Sequence, residues 1–427
     1  MRPVRYVIVG NSAAGLAAAS SLRAAAPEAE IILIDGEEGP AYSRVLTSYA
    51  ISGQVPLERL FLVDGSFYRE RGIEARFGQR VAGLRAGENA LELESGERVG
   101  FDWLLVATGA SPQRLEVPGA GRPGVFTLRT RADAQAIRQA AQGAKQAVVV
   151  GGGLVAFKAA EALHTLGLAV TMVVSSSRVL SQMLDPVTAG LVLAHLARFG
   201  LTVLLGESVA EVRGNGRTLH VVTDQGRELP CDLVVVGKGV RPNVGWLVGS
   251  GVAVNRGVVV DEFLRTSRPG VYAAGDVAET WDLARDERRV NALWGNAVEQ
   301  GRIAGLNLAA PSGASLAYPG SLSENSLHWG DLSVITVGHV NPPAEDPSYR
   351  IHERRAGDRF YRRLVFRDGR LVGAVLFGDV RGAGILRSLI QAGAGQGKWE
   401  DRVEELLSPG LGYGRVFRHW ARVTQPA

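Results

Sequence analysis

At 427 residues, 46% hydrophobic and 21% charged, the chain is long for a single hydrophobic core, and two or three domains are expected. A formal net charge of +4, with arginine dominating the basic side, argues against a dedicated nucleic-acid binder. The lone cysteine, Cys231, excludes an intrachain redox disulfide, a cysteine-ligated zinc site and an iron–sulfur cluster. Any redox chemistry must therefore use a bound organic cofactor, and no metal site is expected.

The chain opens on Tyr6-Val7-Ile8-Val9-Gly10-Asn11-Ser12-Ala13-Ala14-Gly15, a buried strand that runs straight into a tight turn and a helix start. This is the G-x-G-x-x-G dinucleotide fingerprint with Ser12 at the middle glycine, and the N–H groups of the new helix suit phosphate. No signal peptide and no bilayer-length apolar run is evident, so a cytoplasmic protein without membrane contact is expected. The alanine-rich helix from Leu16 to Ala26 stops at Pro27. The apolar run Ile31 to Ile34 then ends in Asp35, where a ribose-binding acid belongs. Strands are expected at 73–77, at 90–93 with Gly96 as a hairpin signal, and at 103–110, the last ending in Thr108-Gly109.

A second fingerprint follows in Val148-Val149-Val150-Gly151-Gly152-Gly153-Leu154-Val155-Ala156, of the form G-x-G-x-x-A. Its unit continues through a strand at 170–174, a helix between Pro186 and Phe199, a strand at 202–205, a hairpin around Gly214-Asn215-Gly216 and a strand at 233–237. Cys231 reads as a packed thiol at the start of that last strand. Gly270 to Asp276 reads as a strand of the first unit, so the second unit is inserted into the first, with crossings near 115 and 245. The expected fold is α/β: two Rossmann-like dinucleotide-binding domains, one inserted in the other, plus a smaller α+β C-terminal domain. The domains are 1–115 with 246–319, 116–245, and 320–427.

After Pro319, shorter strands at 332–337, 362–366 and 371–377 precede a helix at 385–391. The tail from Lys398 carries Trp399, Tyr413, Phe417 and Trp420, which either dock a partner or pack on their own domain. His164 and His195 fall on helices and read as packing or surface residues.

Both fingerprints, Ala107-Thr108-Gly109, the segment Gly237 to Asn243 and Ala274-Gly275-Asp276 together resemble the pyridine-nucleotide-dependent FAD oxidoreductases. More narrowly, the chain is similar to the rubredoxin and ferredoxin reductases and the flavin portion of assimilatory nitrite reductase. The resemblance implies FAD in the first fold, with Gly10, Ser12, Ala14 and Gly15 at its pyrophosphate, Asp35 at its ribose, and Arg44 beside the isoalloxazine. Thr108 and Gly109 would lie along it, and Gly275 with Asp276 at the ribityl or pyrophosphate end. It implies NAD(P)H in the inserted fold, against Gly151, Gly153, Ala156 and Gly239. Arg44 and Lys158 are the catalytic candidates; Lys158 stands where the family more often has glutamate, and a salt-bridged helix lysine is its plain alternative.

The strand at 170–174 ends in Val174 rather than an acid, and Ser175 and Arg178 after it offer partners to a 2′-phosphate, so NADH and NADPH both stay open. The early cysteine-free region disfavours disulfide reduction. The leading expectation is hydride transfer from nicotinamide to flavin and electron exchange with a protein partner, an iron–sulfur protein or rubredoxin. A close variant makes the chain the flavin subunit of a larger complex such as an aldehyde or 2-oxoacid oxidoreductase. An NAD(P)H oxidase reducing oxygen and a non-catalytic nucleic-acid-binding module are the alternatives. Arg350, Arg354, Arg355, Arg359, Arg362 and Arg363 offer either a basic docking surface or a solvated face. Direction of flow and oligomeric state stay open.

Overall fold

The computed structural model describes residues 3–215, 218–310, 315–393, 399–412 and 414. Strand runs as apolar as Ile8 and Leu33 cannot face water, and they pair side by side with helices covering both faces. The first unit is a parallel sheet in the spatial order Val271–Ala273, Trp103–Val106, Arg5–Val9, Glu30–Ile34, Ile73–Arg76. The second repeats it as Val125–Thr127, Leu233–Val236, Gln146–Val150, Ala169–Val174, Thr202–Leu205. Each unit also carries a three-stranded antiparallel meander, at 81–100 in the first and at 209–231 in the second.

The first helix, Ala13–Ala25, starts three residues ahead of expectation because Ser12 is already its N-cap. It packs against the long helix Trp294–Ala309, where a Cβ on Gly301 would meet Ala14 O at 2.2 Å. The strand expected over 103–110 ends at Val106; Gly109 at φ +64° turns the chain out of the sheet. Ala110–Pro112 then pairs antiparallel with Val240–Pro242, so the outgoing and returning crossings run side by side. Thr108 Oγ1 donates to Asn243 O at 3.0 Å and Asn243 Nδ2 to Thr108 O at 2.8 Å, which pins this ribbon. Cys231 ends the last meander strand, Glu228–Cys231, and is buried; the sheet strand begins two residues later.

The C-terminal sheet is antiparallel, in the order Glu324–Trp329, Leu332–Gly338, Arg370–Phe377, Phe360–Arg367, Tyr349–Ala356. Glu324–Trp329 and Tyr349–Ala356 are additions to the expected strands. One face of the sheet packs on helix Ala383–Ala392 and on Trp399, Leu406 and Leu407. The other places Leu327, Trp329, Tyr361 and Phe377 in one core with Phe157, Leu163, Val192 and Leu196 of the second unit. Gly216 of the expected hairpin and Tyr413, Phe417 and Trp420 of the tail lie outside the described residues.

The arginine run is not a uniform basic face. Arg362 is fully buried and donates to Leu406 O, Ser408 O and Asp379 O. Arg363 pairs with Glu353, Arg355 with Asp358 and Arg350 with Glu400. Strand geometry explains this: both faces of Phe360–Arg367 are covered, and Arg362 falls on the same face as Leu364 and Phe366, against the C-terminal segment. Among the described residues no helix is long and apolar enough to cross a membrane.

Candidate functional site

A cleft of about 1360 Å³ runs along the carboxyl ends of the first sheet and is closed by the second unit and the C-terminal domain. Its size exceeds what one ordinary small ligand occupies. Carboxyl ends of parallel strands are where such sheets bind ligands, because the following turns aim backbone N–H groups there. Gly10, at φ +114°, makes the first turn, and a Cβ on it would sit 2.1 Å from Ala107 O. Gly15 lies beneath, where a Cβ would meet Gly10 O at 1.8 Å, so it serves helix–strand contact and is not part of the cleft lining.

Gly10, Ser12, Ala14, Asp35, Arg44, Thr108, Gly109, Lys158, Gly275 and Asp276 all line the cleft. Asp35 braces the first turn: Oδ2 accepts from Asn11 N at 2.5 Å and Oδ1 from Glu37 N at 2.7 Å. Burial raises its pKa, and these two N–H bonds oppose the rise. Each oxygen keeps a second lone pair for a ribose hydroxyl. Arg44 lies over the same turn, with Nε 3.3 Å from Ser12 Oγ, Nη1 3.0 Å from Tyr42 OH and Nη2 2.5 Å from Glu37 Oε1. Its guanidinium thus stands beside the first glycine turn, held between Ser12 and Glu37. Burial pushes the Tyr42 phenol well above its ordinary range, so it stays a donor, to Glu37 Oε2 at 2.6 Å.

Asp276 forms an ion pair with Arg129, Nη2 to Oδ2 at 2.7 Å, both largely buried. Arg129 follows Val125–Thr127, the edge strand of the second sheet, and the pair therefore ties the two units across the cleft. Gln300 accepts Gly275 N at 2.7 Å through Oε1, and Trp294 and Asn296, at the start of the same helix, line the cleft.

Gly151, Gly153, Ala156, Ser175, Arg178 and Gly239 lie outside the cleft lining, at the second unit's own turn. Gly151, at φ +124°, approaches Gly237 O, and a Cβ on Gly237 would come 2.7 Å from Ala156 N, so Ala156 is the small residue that close packing demands. Gly153 faces open space, and a Cβ placed on it would meet nothing within 4 Å. Val174 is buried and Ser175 exposed. Arg178 Nη2 donates to Ser181 O at 3.2 Å, turning the guanidinium into its own loop.

Lys158 connects all three parts. From helix Leu154–Thr165 its Nζ donates to Glu161 Oε2 at 2.6 Å and to His328 O at 3.1 Å, and it stands 5.5 Å from the centre of the Tyr49 ring. The paired carboxylate offsets its charge, so the plain salt-bridged reading describes its geometry. His164 stacks near Trp329 and Phe199, and His195 Nε2 lies 2.9 Å from Trp329 O; both are packing residues at the boundary with the C-terminal domain. Sequence reasoning missed Arg129, Glu37, Gln300 and Trp294. Glu37 follows the expected ribose acid by two residues and was within its reach; Arg129 and Asp276 are 147 positions apart.

An implied FAD fits these residues on structural grounds: a glycine turn with a cation beside it, a braced acid at the strand end, and a deep cleft whose walls come from two nucleotide folds. Residues 4–301 match the pyridine nucleotide-disulphide oxidoreductase family, and residues 324–394 the rubredoxin NAD+ reductase C-terminal domain. The chain is 31% identical over 382 residues to an assimilatory nitrate reductase electron transfer subunit of Bacillus subtilis, covering 89% of this chain and 48% of that protein. It is 31% identical to the NADH-dependent phenylglyoxylate dehydrogenase subunit epsilon of Aromatoleum evansii, covering 90% and 91%. A ferredoxin reductase structure from Rhodopseudomonas palustris superimposes with a TM-score of 0.85 at 26% identity, covering 96% and 99%. The chain spans about half the length of the two Bacillus subtilis relatives it matches, 48% and 47%. The chain belongs to the pyridine nucleotide-disulphide oxidoreductase family.

Proposed function

We propose that the chain is an FAD-dependent NAD(P)H oxidoreductase that exchanges electrons with a protein partner of the iron–sulfur or rubredoxin type, alone or as the flavin subunit of a larger complex, in the cytoplasm. The observation that carries this reading is the pair of nested glycine turns whose units wall one cleft. When bound, FAD supplies hydride acceptance from NAD(P)H and release of the electrons to a carrier.

The chain's own residues do the holding. Residues 1–115 with 246–319 bind FAD: Gly10, Ser12 and Ala14 give its pyrophosphate backbone N–H groups, Arg44 gives it a cation, and Asp35 accepts from the ribose. Thr108, Gly109, Gly275 and Asp276 lie along the remainder, with Arg129 keeping the Asp276 carboxylate compensated. Residues 116–245 bind NAD(P)H at Gly151, Gly153 and Gly239, and the Ala110–Pro112 ribbon with Val240–Pro242 fixes one unit against the other. Such fixed orientation is what makes transfer between two bound rings fast. Lys158 positions helix Leu154–Thr165 against Tyr49 and His328 at the cleft wall. Val174 offers no acceptor to a ribose diol; the exposed Ser175 and Ser177 and the N–H groups of Arg178 that do not bond Ser181 O are the polar groups left for the adenosine end.

Reconstitution with FAD, followed by turnover with NADH or NADPH and a panel of ferredoxins and rubredoxins, tests the proposal. Stoichiometric flavin and carrier reduction support it. Flavin binding with reduction of oxygen alone supports instead the oxidase reading, a function named for a Methanocaldococcus jannaschii relative 30% identical over 344 residues.

A further inference from the structure

Asn11 stands between Gly10 and Ser12 in the first glycine turn, is 6% exposed and lines the cleft. Its backbone N–H goes to Asp35 Oδ2, which leaves the side-chain amide as its donor toward a ligand. One end of that amide is held from beneath the turn. Tyr68, on the short helix Ser66–Glu70 and 2% exposed, has its hydroxyl 2.9 Å from Asn11 Oδ1 and 3.0 Å from Ala41 N. Phe67 and Phe77 meet the Tyr68 ring edge-on, with centroids 5.2 and 5.3 Å away, and fix its position.

Only one orientation of the amide satisfies all three groups. The Ala41 N–H can only donate, so the Tyr68 oxygen accepts there and sends its own hydrogen to Asn11. Burial raises the Tyr68 pKa, so the phenol keeps that hydrogen. An amide turned the other way would set N–H against O–H and leave a buried hydroxyl without an acceptor. Oδ1 therefore faces Tyr68, and Nδ2, which has no partner among the described residues, is the end left for the cleft.

We infer that Asn11 Nδ2 is a donor to the FAD pyrophosphate and that Tyr68 is the positioning residue that aims it; the inference rests on the FAD-binding reading proposed above. The charges at the turn call for such a donor. Asp35 and Glu37 bring carboxylates to it, and Arg44, the cation beside them, is already paired with Glu37. A pyrophosphate adds further negative charge, and the Ser12 hydroxyl lies against Arg44 Nε at 3.3 Å. A neutral amide offers N–H groups to phosphate oxygens and needs no counter-ion of its own. Tyr68 is absent from the cleft lining, so it acts on the ligand through Asn11.

The test measures FAD release from the loaded, full-length chain, with flavin fluorescence on dilution giving the Kd. Asn11→Ala should raise that Kd about tenfold, and Tyr68→Phe, which removes one oxygen and keeps the ring, about fivefold. In the Asn11→Ala background, Tyr68→Phe should change the Kd by less than about twofold, because the donor it aims is gone. Displacement of FAD by ADP and by adenosine reads the ligand chemistry. Asn11→Ala should raise the ADP inhibition constant about tenfold and leave that of adenosine within about twofold. Should Asn11→Ala not fold, Asn11→Ser, too short to reach from Tyr68 to the cleft, replaces it in every arm. A parent-like Kd in both single variants overturns the inference. So does a Tyr68→Phe effect that persists in full without the Asn11 side chain, which would place its action on the Ala41 segment. Equal losses for ADP and adenosine overturn it as well, since Asn11 would then only shape the turn. An unaltered chain that takes up no FAD sinks the underlying reading, whereas one that holds FAD no tighter than its variants sinks only the role of Asn11.

Discussion

Gly151 and Gly153 stand two residues apart in one turn and face different constraints. A Cβ on Gly151 would sit 2.4 Å from Gly237 O in a backbone at φ +124°, whereas Gly153 has open space where its side chain would be. Gly151→Ala should therefore cost about 2–3 kcal/mol of stability, read by denaturant unfolding. Gly153→Ala should unfold within about 0.5 kcal/mol of the parent. It should nonetheless raise the NAD(P)H KM about tenfold, or about 1.4 kcal/mol, because its methyl takes the room a pyrophosphate uses. Cys231 gives a pH prediction. Burial first, and Asp232 second, push its thiol up to about 12, while the unfolded thiol ionises near pH 8.5, about the ordinary value. Below that value neither state loses the proton and pH has no leverage. Above it the unfolded chain ionises and the folded chain does not, so stability falls by up to about 1.4 kcal/mol per pH unit until about pH 12. Comparing Cys231→Ala with the parent at pH 8 and 10.5 isolates this contribution, which the variant should lack.

At the level of elements, local signals were legible and paired ones were not. Both glycine turns follow from strand, turn and helix chemistry within a dozen residues, and the structure has both. Strand Tyr349–Ala356 escaped because its residues are mostly polar and exposed, as an edge strand permits, so the apolar alternation that marks a strand is missing. The same edge carries Arg350, Arg354 and Arg355. It lies four strands from Glu324–Trp329, which borders the cleft, or about 19 Å at the usual strand spacing. Charge reversal at Arg354 and Arg359 should consequently change a carrier's KM by less than about twofold, an outcome steady-state kinetics at about 0.15 M salt, where the screening length is about 8 Å, can check. Arg362→Ala should behave differently. It strips Leu406 O, Ser408 O and Asp379 O of their donor and should cost about 3–5 kcal/mol in denaturant unfolding.

Across the whole molecule, sequence pattern conveyed the nesting of two nucleotide folds but not which parts share a core. The second unit and the C-terminal domain bury Phe157, Leu163, Trp329 and Phe377 together with Ile51 of the first unit, whose other core residues gather mainly in a cluster of their own. Contacts such as Tyr361 OH to Asp185 Oδ2 at 3.0 Å join positions 176 apart, beyond the reach of any local signal. Phe157→Ala and Trp329→Ala should therefore each lower the same calorimetric transition, by about 3–5 kcal/mol. Two separate transitions responding one to each would show independent cores. The central claim, that the nested units bring FAD and NAD(P)H into one cleft, is tested most directly by anaerobic stopped-flow mixing of the FAD-loaded protein with NADH and with NADPH. The account predicts bleaching of the oxidised flavin absorbance, saturating with nicotinamide concentration and slowed in Gly153→Ala. A chain that takes up no flavin, or whose bound flavin stays oxidised at every concentration of both nucleotides, would contradict it.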